Sequence, residues 1–567
     1  MTQMILRLNY QTFFDGKETL IELLKPLDKD DLLRAVSYFV NRSKTEKNAI
    51  TTINNWFSDN DVKSELISRI RSNGSILNIF SSLKLLNYIL ERDENTTEAI
   101  DKNEFELRLF KAYLLLNSEQ DTTEESGQKK LPKDDDERII ASLLTLSYHD
   151  YDIQNYILHE VFLSQLIKSI EYFQFIEQHS ILKNHLILFL DKYKCSNWQE
   201  WIYKLLNIII PVLGHNNDTY SEIRLEADDS LETNTLFLSL FSVPIEYTEL
   251  PDFTTIRSNP LQKVNDHTFL VINKLFLIER IFKSVIFEFS LKINKEVSEE
   301  FRIRDFRSIY CDFFSEQVLL YQTIWKCFPS NSKYQKFKGE DFKSQGYSSE
   351  PDFYIRFKNK ILLFESKDVI LKGEEKISRD YSILSKGLKD KFLKVEKDGK
   401  TSKKAILQII ENIKRVFDEY YKKIDVSYNT DYVKVYPVLV IHDRQFDTPE
   451  LNRLLNKWFR EELDSTFDTN QKKQIKNLTI INIDTLIIYQ EHFFKRGEYG
   501  LEILIDKYQA FAKPTFSTNY EKNIENYMNT SISFSAFVGN IFDKTDFKET
   551  PSFIESYIKK LNIPTVD

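Results

Sequence analysis

From position 17 to about 290, apolar residues recur at a period near 3.6. The run Ile76, Leu77, Ile79, Phe80, Leu83, Leu85, Leu86, Ile89 and Leu90 is an example, and it keeps one face of a helix apolar. This half reads as an irregular helical bundle, with no repeat of fixed period to point to a solenoid. Two polar stretches interrupt it, near 118–137 and 215–234. The first holds eight acids against three lysines, and both read as acidic, solvated loops. The texture changes near Arg302. A long helical pattern over 305–328 is followed by a polar stretch, 329–349. Short apolar runs then appear at 353–357, 361–365, 432–441 and 478–483, with helical patterns at 403–423 and 449–467 between them. That alternation predicts a mixed α/β domain around a central mixed sheet. After Leu501 the pattern is helical again. The expected fold class is α+β multidomain: a large N-terminal all-α region (1–300), an α/β domain (301–500) and a helical C-terminal segment (501–567).

Composition narrows the function. At 567 residues the chain exceeds the roughly 250 to 300 at which one hydrophobic core stops growing. Twelve glycines include no pair two or five apart, so neither G-x-G nor the phosphate loop G-x-x-x-x-G-K-[ST] is present, which excludes the usual dinucleotide and P-loop folds. Cys195, Cys311 and Cys327 form no C-x-x-C pair, and the eight histidines include no H-E-x-x-H, so zinc has no evident ligand set and reduced thiols are expected. The first sixteen residues lack the order of a secretory signal. The most apolar stretch, 269–289, is broken by Lys274, Glu279, Arg280, Lys283 and Glu288, so no membrane partner and a cytoplasmic location are expected. Net charge is −9, yet residues 331–430 carry 23 Lys and Arg against 16 Asp and Glu, a local surplus of +7. A nucleic-acid backbone would favour such a segment, although charge alone fits a lysine-rich solvated face equally well.

Inside the basic segment, residues 350–367 read as a β-hairpin. With Lys358-Asn359 as a two-residue turn, Asn supplying the positive φ, positions summing to 717 face each other and Asp352 meets Glu365. Strand alternation adds Lys367 to that face about 7 Å along the strand, while Phe353, Ile355, Leu362 and Phe364 take the opposite, core face. Two carboxylates facing across neighbouring strands repel unless they share a proton or a cation. A hard divalent metal is the natural guest: magnesium binds one or two carboxylates and keeps positions open for water and phosphate oxygens. There it polarises a phosphoryl group and activates water, with Lys367 placed to hold that water or to neutralise the charge developing on phosphorus.

The sequence Pro351-Asp352, a gap of twelve, then Glu365-Ser366-Lys367 at the end of an apolar strand resembles the PD-(D/E)xK, or restriction-endonuclease-like, nuclease superfamily. The resemblance is local, over about 303–488, and the order of helix, hairpin, helix, strand and helix is similar to the family's. It implies a restriction-endonuclease-like α/β domain with catalytic residues Asp352, Glu365 and Lys367. The metal ligands it implies are Asp352, Glu365, the backbone carbonyl of Ser366 and, from the preceding helix, Glu316, with Gln408 on the following helix in support. Mg2+ is the implied cofactor, with Mn2+ able to substitute. A second Pro-Asp, Pro251-Asp252, lacks a following strand ending in [DE]-x-K.

The expected function is therefore a metal-dependent nuclease that hydrolyses phosphodiester bonds, with DNA as substrate and a DNA endonuclease as its form. Its large helical partner region is similar in architecture to antiphage defence and restriction proteins, and that region could bind a protein partner. Two alternatives stand beside it: a non-catalytic scaffold that binds nucleic acid or protein, and an RNase built on the same site. His442 and Asp443, after the 432–441 run, read as a surface turn. Trp198, Trp201, Cys195 and His185 read as helical core.

Overall fold

A computed structural model describes residues 6–92, 100–215, 219–330, 333–495, 497–515, 517–542 and 551–561. The chain divides into two compact units that are discontinuous in sequence: 1–129, 153–158 and 185–293 in one; 130–152, 159–184 and 294–567 in the other. The sequence boundaries at 300 and 500 were drawn along the chain, whereas the units gather distant segments. The segments 130–152 and 159–184 and the C-terminal helices all fall in the unit that holds the large sheet.

The first unit is mostly helical. Ile79–Leu90 forms one of its helices, started by Asn78, whose side chain accepts from the Ser81 N–H, and it buries Leu83, Leu86 and Ile89 on one side. Trp198, Trp201, His185 and Cys195 are buried, as expected. The all-α expectation for 1–300 needs correction. Ser221–Arg224, Thr268–Val271 and Leu261–Asn265 form a three-stranded antiparallel sheet, and Leu6–Arg7 pairs in parallel with Gly74–Ser75. The apolar run from Phe269 is divided by a cap: Asn273 accepts from the N–H groups of Leu275 and Phe276, so the strand ends and a helix begins at Lys274. The two acidic loops also need correction. Lys102–Gln128 is one helix, whose Asp121 and Glu124 receive Arg7 at 2.9 and 2.8 Å. The 215–234 stretch contains the strand Ser221–Arg224 and the start of the helix Leu231–Ser239; 216–218 lie outside the described residues.

The second unit is built on a five-stranded mixed sheet: β1 (Tyr334–Lys338), β2 (Phe353–Phe357), β3 (Lys360–Lys367), β4 (Lys434–Ile441) and β5 (Thr479–Asn482), in the order β5-β4-β3-β2-β1. β1, β2 and β3 run antiparallel, and β4 and β5 are parallel to β3. Parallel neighbours need crossovers. Tyr381–Phe392 and Ala405–Phe417 lie between β3 and β4, and Pro449–Thr466 lies between β4 and β5. Ala405–Phe417 repeats Ile406, Ile409, Ile410, Ile413 and Val416 at helical spacing, and these pack with Ile361, Leu363, Val435, Leu439 and Ile441 of the sheet.

The hairpin register is the one expected: Phe353 pairs with Phe364, Ile355 with Leu362 and Phe357 with Lys360. One detail differs. The left-handed φ, +55°, belongs to Lys358 and not to Asn359. Asn359 is tied down instead, its side-chain amide donating to the Tyr432 carbonyl at 3.0 Å and its carbonyl accepting from the Lys434 N–H at 2.7 Å. The sheet is also covered on both faces, so the Asp352 face is core for most of its length: Tyr354, Ile361 and Leu363 are as buried as Phe353 and Phe364. The Phe353 face is met by a helical stretch made of Phe306–Ile309, a π-helical segment Tyr310–Leu320, and Tyr321–Cys327; the Tyr321 ring lies 5.8 Å from that of Phe353. Among the described residues, no helix is long and apolar enough to cross a membrane.

Candidate active site

Asp352 stands one residue before β2, and the hairpin register carries it to the end of β3. There the Ser366 N–H donates to Asp352 Oδ2 at 2.6 Å. On the same face Lys367 Nζ donates to Glu365 Oε1 at 2.7 Å. The Glu365 side chain is 3% exposed and that of Lys367 21%. Two acids and one ammonium are thus confined in a space with little water, which disfavours each charge that lacks an opposite. Burial first, and then the charge of Asp352, push the Glu365 carboxyl up to about 8. Burial also raises Asp352, against the pull of Lys367 and of the Ser366 N–H. Lys367 itself stands above its ordinary value: burial works against its charge, but Glu365 and Asp352 outweigh it.

Glu316 joins this group. It lies in the π-helical segment, a geometry found often at functional sites, and accepts from the Tyr321 hydroxyl at 2.8 Å. Burial and then Asp352 raise its carboxyl to about 7. Glu340, just after β1, adds to that repulsion; its carboxylate oxygens are buried, with Lys343 Nζ 3.9 Å away. The structure therefore brings Asp352, Glu365, Lys367 and Glu316 together. Gln408 is half-buried on Ala405–Phe417, and no hydrogen bond or ion pair among the described residues ties it to these carboxylates. The second Pro-Asp is local structure in the other unit, Asp252 pairing with Arg257 at 3.0 Å.

Beyond the motif lies a polar chain that the residues alone did not announce. His442 is not on a surface turn: its side chain is 5% exposed, with Nε2 2.8 Å from Ser366 Oγ and Nδ1 3.0 Å from Ser315 Oγ. Ser315 in turn donates to Asp368 Oδ2 at 2.8 Å, and Arg307 binds the same carboxylate. Burial holds His442 down at about 4, so it is neutral at pH 7. Asp368 sits below the ordinary carboxylate range, because the charge of Arg307 and the hydrogen bonds from Ser315 and Arg307 outweigh its burial. The proton directions follow. The single Ser315 hydrogen goes to Asp368, so His442 Nδ1 donates to Ser315, and Nε2 is left to accept from the Ser366 hydroxyl. This chain ties the end of β3 to the end of β4 and to the helix that carries Glu316. A signal for it exists in the topology: β4 is parallel to β3 with Ile441 opposite Lys367, so the next residues, His442 and Asp368, emerge side by side at the carboxyl edge, where open α/β sheets gather functional groups.

The donors suit a hard cation. Among the described residues no group of three or more His, Cys, Asp and Glu forms a ready cage, but magnesium takes one or two carboxylates and completes its shell with water. Carboxyls raised to about 7 and about 8 by desolvation and by the charge of Asp352 are what a divalent ion would return to the ionised form.

The chain matches no protein-family model, no curated protein and no solved structure.

Proposed function

We propose that this chain is a metal-dependent nuclease that hydrolyses phosphodiester bonds in DNA, with a restriction-endonuclease-like domain over 301–500 as its catalytic part. The observation that carries the reading is the register-matched pair Asp352 and Glu365 at one strand end, on one face, Glu365 buried and Asp352 half-buried, with Lys367 between charge and solvent. A scaffold has no use for two repelling acids packed together beside a lysine. Asp352 and Glu365, with the Ser366 carbonyl and Glu316, would hold Mg2+, or Mn2+ in its place. When bound, the ion supplies a Lewis acid for a phosphoryl oxygen and lowers the pKa of a water molecule.

The residues of the chain do the rest. In the hydrolysis, a water oxygen bonds to phosphorus, one P–O ester bond breaks, and the water proton is passed to solvent while the leaving oxygen is protonated. Lys367, 21% exposed, reaches solvent while paired with Glu365, and its ammonium neutralises the charge that grows on the phosphorane oxygens. The Ser366 N–H fixes one oxygen of Asp352, so the carboxylate does not swing. The chain from Ser366 through His442 and Ser315 to Asp368 holds the peptide that carries the motif.

The test is to incubate wild type and Asp352→Asn with supercoiled plasmid, linear duplex, single-stranded DNA and RNA, with Mg2+, with Mn2+ and with EDTA. Cleavage of DNA by wild type in metal, lost in EDTA and in the variant, supports the reading. Cleavage of RNA alone moves the substrate class, and an inert wild type that binds nucleic acid with the variant's affinity replaces the nuclease with a scaffold.

A further inference from the structure

The basic surplus of residues 331–430 is concentrated. Residues 386–404 hold eight lysines against three acids, and at the centre of this run is a two-stranded antiparallel hairpin, Lys394–Lys397 and Lys400–Lys403. Asp398 and Gly399 form its turn, both with positive φ (+51° and +71°), the arrangement that matches the twist of a tight hairpin. Its base is closed by the Lys404 N–H donating to the Leu393 carbonyl at 2.9 Å. The second strand is exposed throughout, and the first is exposed at all positions but Val395.

The register then does something a free hairpin would avoid. Lys397 faces Lys400, and Lys394 faces Lys403. Like charges directly opposite one another destabilise a pair of strands. The lower pair is relieved within the chain, Lys394 by Glu396 at 2.8 Å and Lys403 by Glu411 at 2.9 Å. The upper pair is not: among the described residues no carboxylate forms an ion pair with Lys397 or Lys400. A tight turn thus presents two opposed ammonium groups to solvent, inside the crossover that links β3 and β4. An anionic polymer with closely spaced charges is the partner that relieves them, and a two-stranded ribbon is of a size to enter the major groove of duplex DNA, about 12 Å wide.

We infer that the hairpin Lys394–Lys403 is a nucleic-acid-gripping arm, in which Lys397 and Lys400 contact phosphates of duplex DNA. This rests on the nuclease reading for the identity of the polyanion, but it is tested without cleavage. Full-length wild type, Lys397→Ala/Lys400→Ala and a charge-matched control, Lys472→Ala/Lys473→Ala, are titrated with a labelled duplex in EDTA between 50 and 200 mM salt. Each phosphate contact contributes a slope near −0.9 to log K against log salt, so the hairpin variant should be flatter than wild type by about two, with the control unchanged. Because the Asp398-Gly399 turn is kept and a repulsion is removed, the variant should unfold at or above the wild-type temperature, which separates lost binding from lost folding.

A hairpin variant with the wild-type slope, or a control that flattens equally, overturns the arm. So does a wild type that fails to bind duplex, or that binds anionic vesicles in its place. A parallel cleavage assay in Mg2+ keeps the two readings apart. Slope loss with no wild-type cleavage leaves the arm and removes the nuclease; cleavage with an unchanged slope does the reverse.

Discussion

Replacing Glu365 by Gln should make the fold less sensitive to pH. The carboxyl is 3% exposed and stands at about 8, where an ordinary glutamate stands at 4.5. A buried acid raised in this way binds its proton more tightly folded than unfolded. Its contribution to stability is complete below the unfolded pKa and is lost as pH rises through the folded one. At about 1.4 kcal/mol per pH unit, wild type in EDTA should lose roughly 4 kcal/mol from this group between pH 5 and pH 8. Glu365→Gln carries no proton to lose and keeps that part of the stability, while Glu316, raised to about 7, titrates in both proteins. The assay is urea unfolding followed by hydrogen exchange of the peptides that span β2 and β3, in EDTA, at half-unit pH steps. The difference between the two proteins should widen in favour of the variant as pH rises. Mg2+ at pH 8 should then close most of the gap by stabilising wild type and not the variant. Parallel curves in EDTA, with no effect of Mg2+, would refute the reasoning, because they would mean that Glu365 is neither confined nor opposed by Asp352.

Other consequences are independent of that one. Arg356 and Asp425 form a pair whose side chains are 10% and 2% exposed, with the Tyr354 hydroxyl on the same carboxylate at 2.9 Å; Asp425→Ala leaves a buried guanidinium without its counter-charge and should cost about 3 to 5 kcal/mol in chemical denaturation. His442→Ala removes the link between Ser366 and Ser315 and should cost about 1 to 3 kcal/mol, with the loss concentrated in faster hydrogen exchange at the ends of β3 and β4. Glu316→Gln should raise the Mg2+ concentration needed for half-maximal cleavage while leaving the EDTA-measured affinity for DNA as in wild type.

The hairpin was legible in the sequence because its rules are local. Alternation fixes the faces, and a two-residue turn fixes the pairing, so Asp352 opposite Glu365 follows from counting. β1 was not legible: Tyr334–Lys338 is a half-buried edge strand with two lysines, and edges are often charged in this way, so it read only as part of a polar stretch. The sheet of the first unit was hidden for a different reason, since its strands are short and one of them runs straight into an apolar helix with only Ile272 and Asn273 between them. Glu316 could be suspected from the resemblance, but its reach to Asp352 depends on where the π-helical segment lies against the sheet. The chain from Ser366 to Asp368 needed the parallel register of β3 and β4, a long-range pairing that no local pattern encodes.

The central claim is that the end of β3 is a catalytic centre, and Lys367 tests it most directly. Single-turnover cleavage of supercoiled plasmid, with protein in excess and Mg2+ saturating, should be about 10² to 10³ slower for Lys367→Ala than for wild type, with duplex affinity in EDTA lower by no more than one lost phosphate contact. Equal cleavage rates for the two proteins would contradict the account.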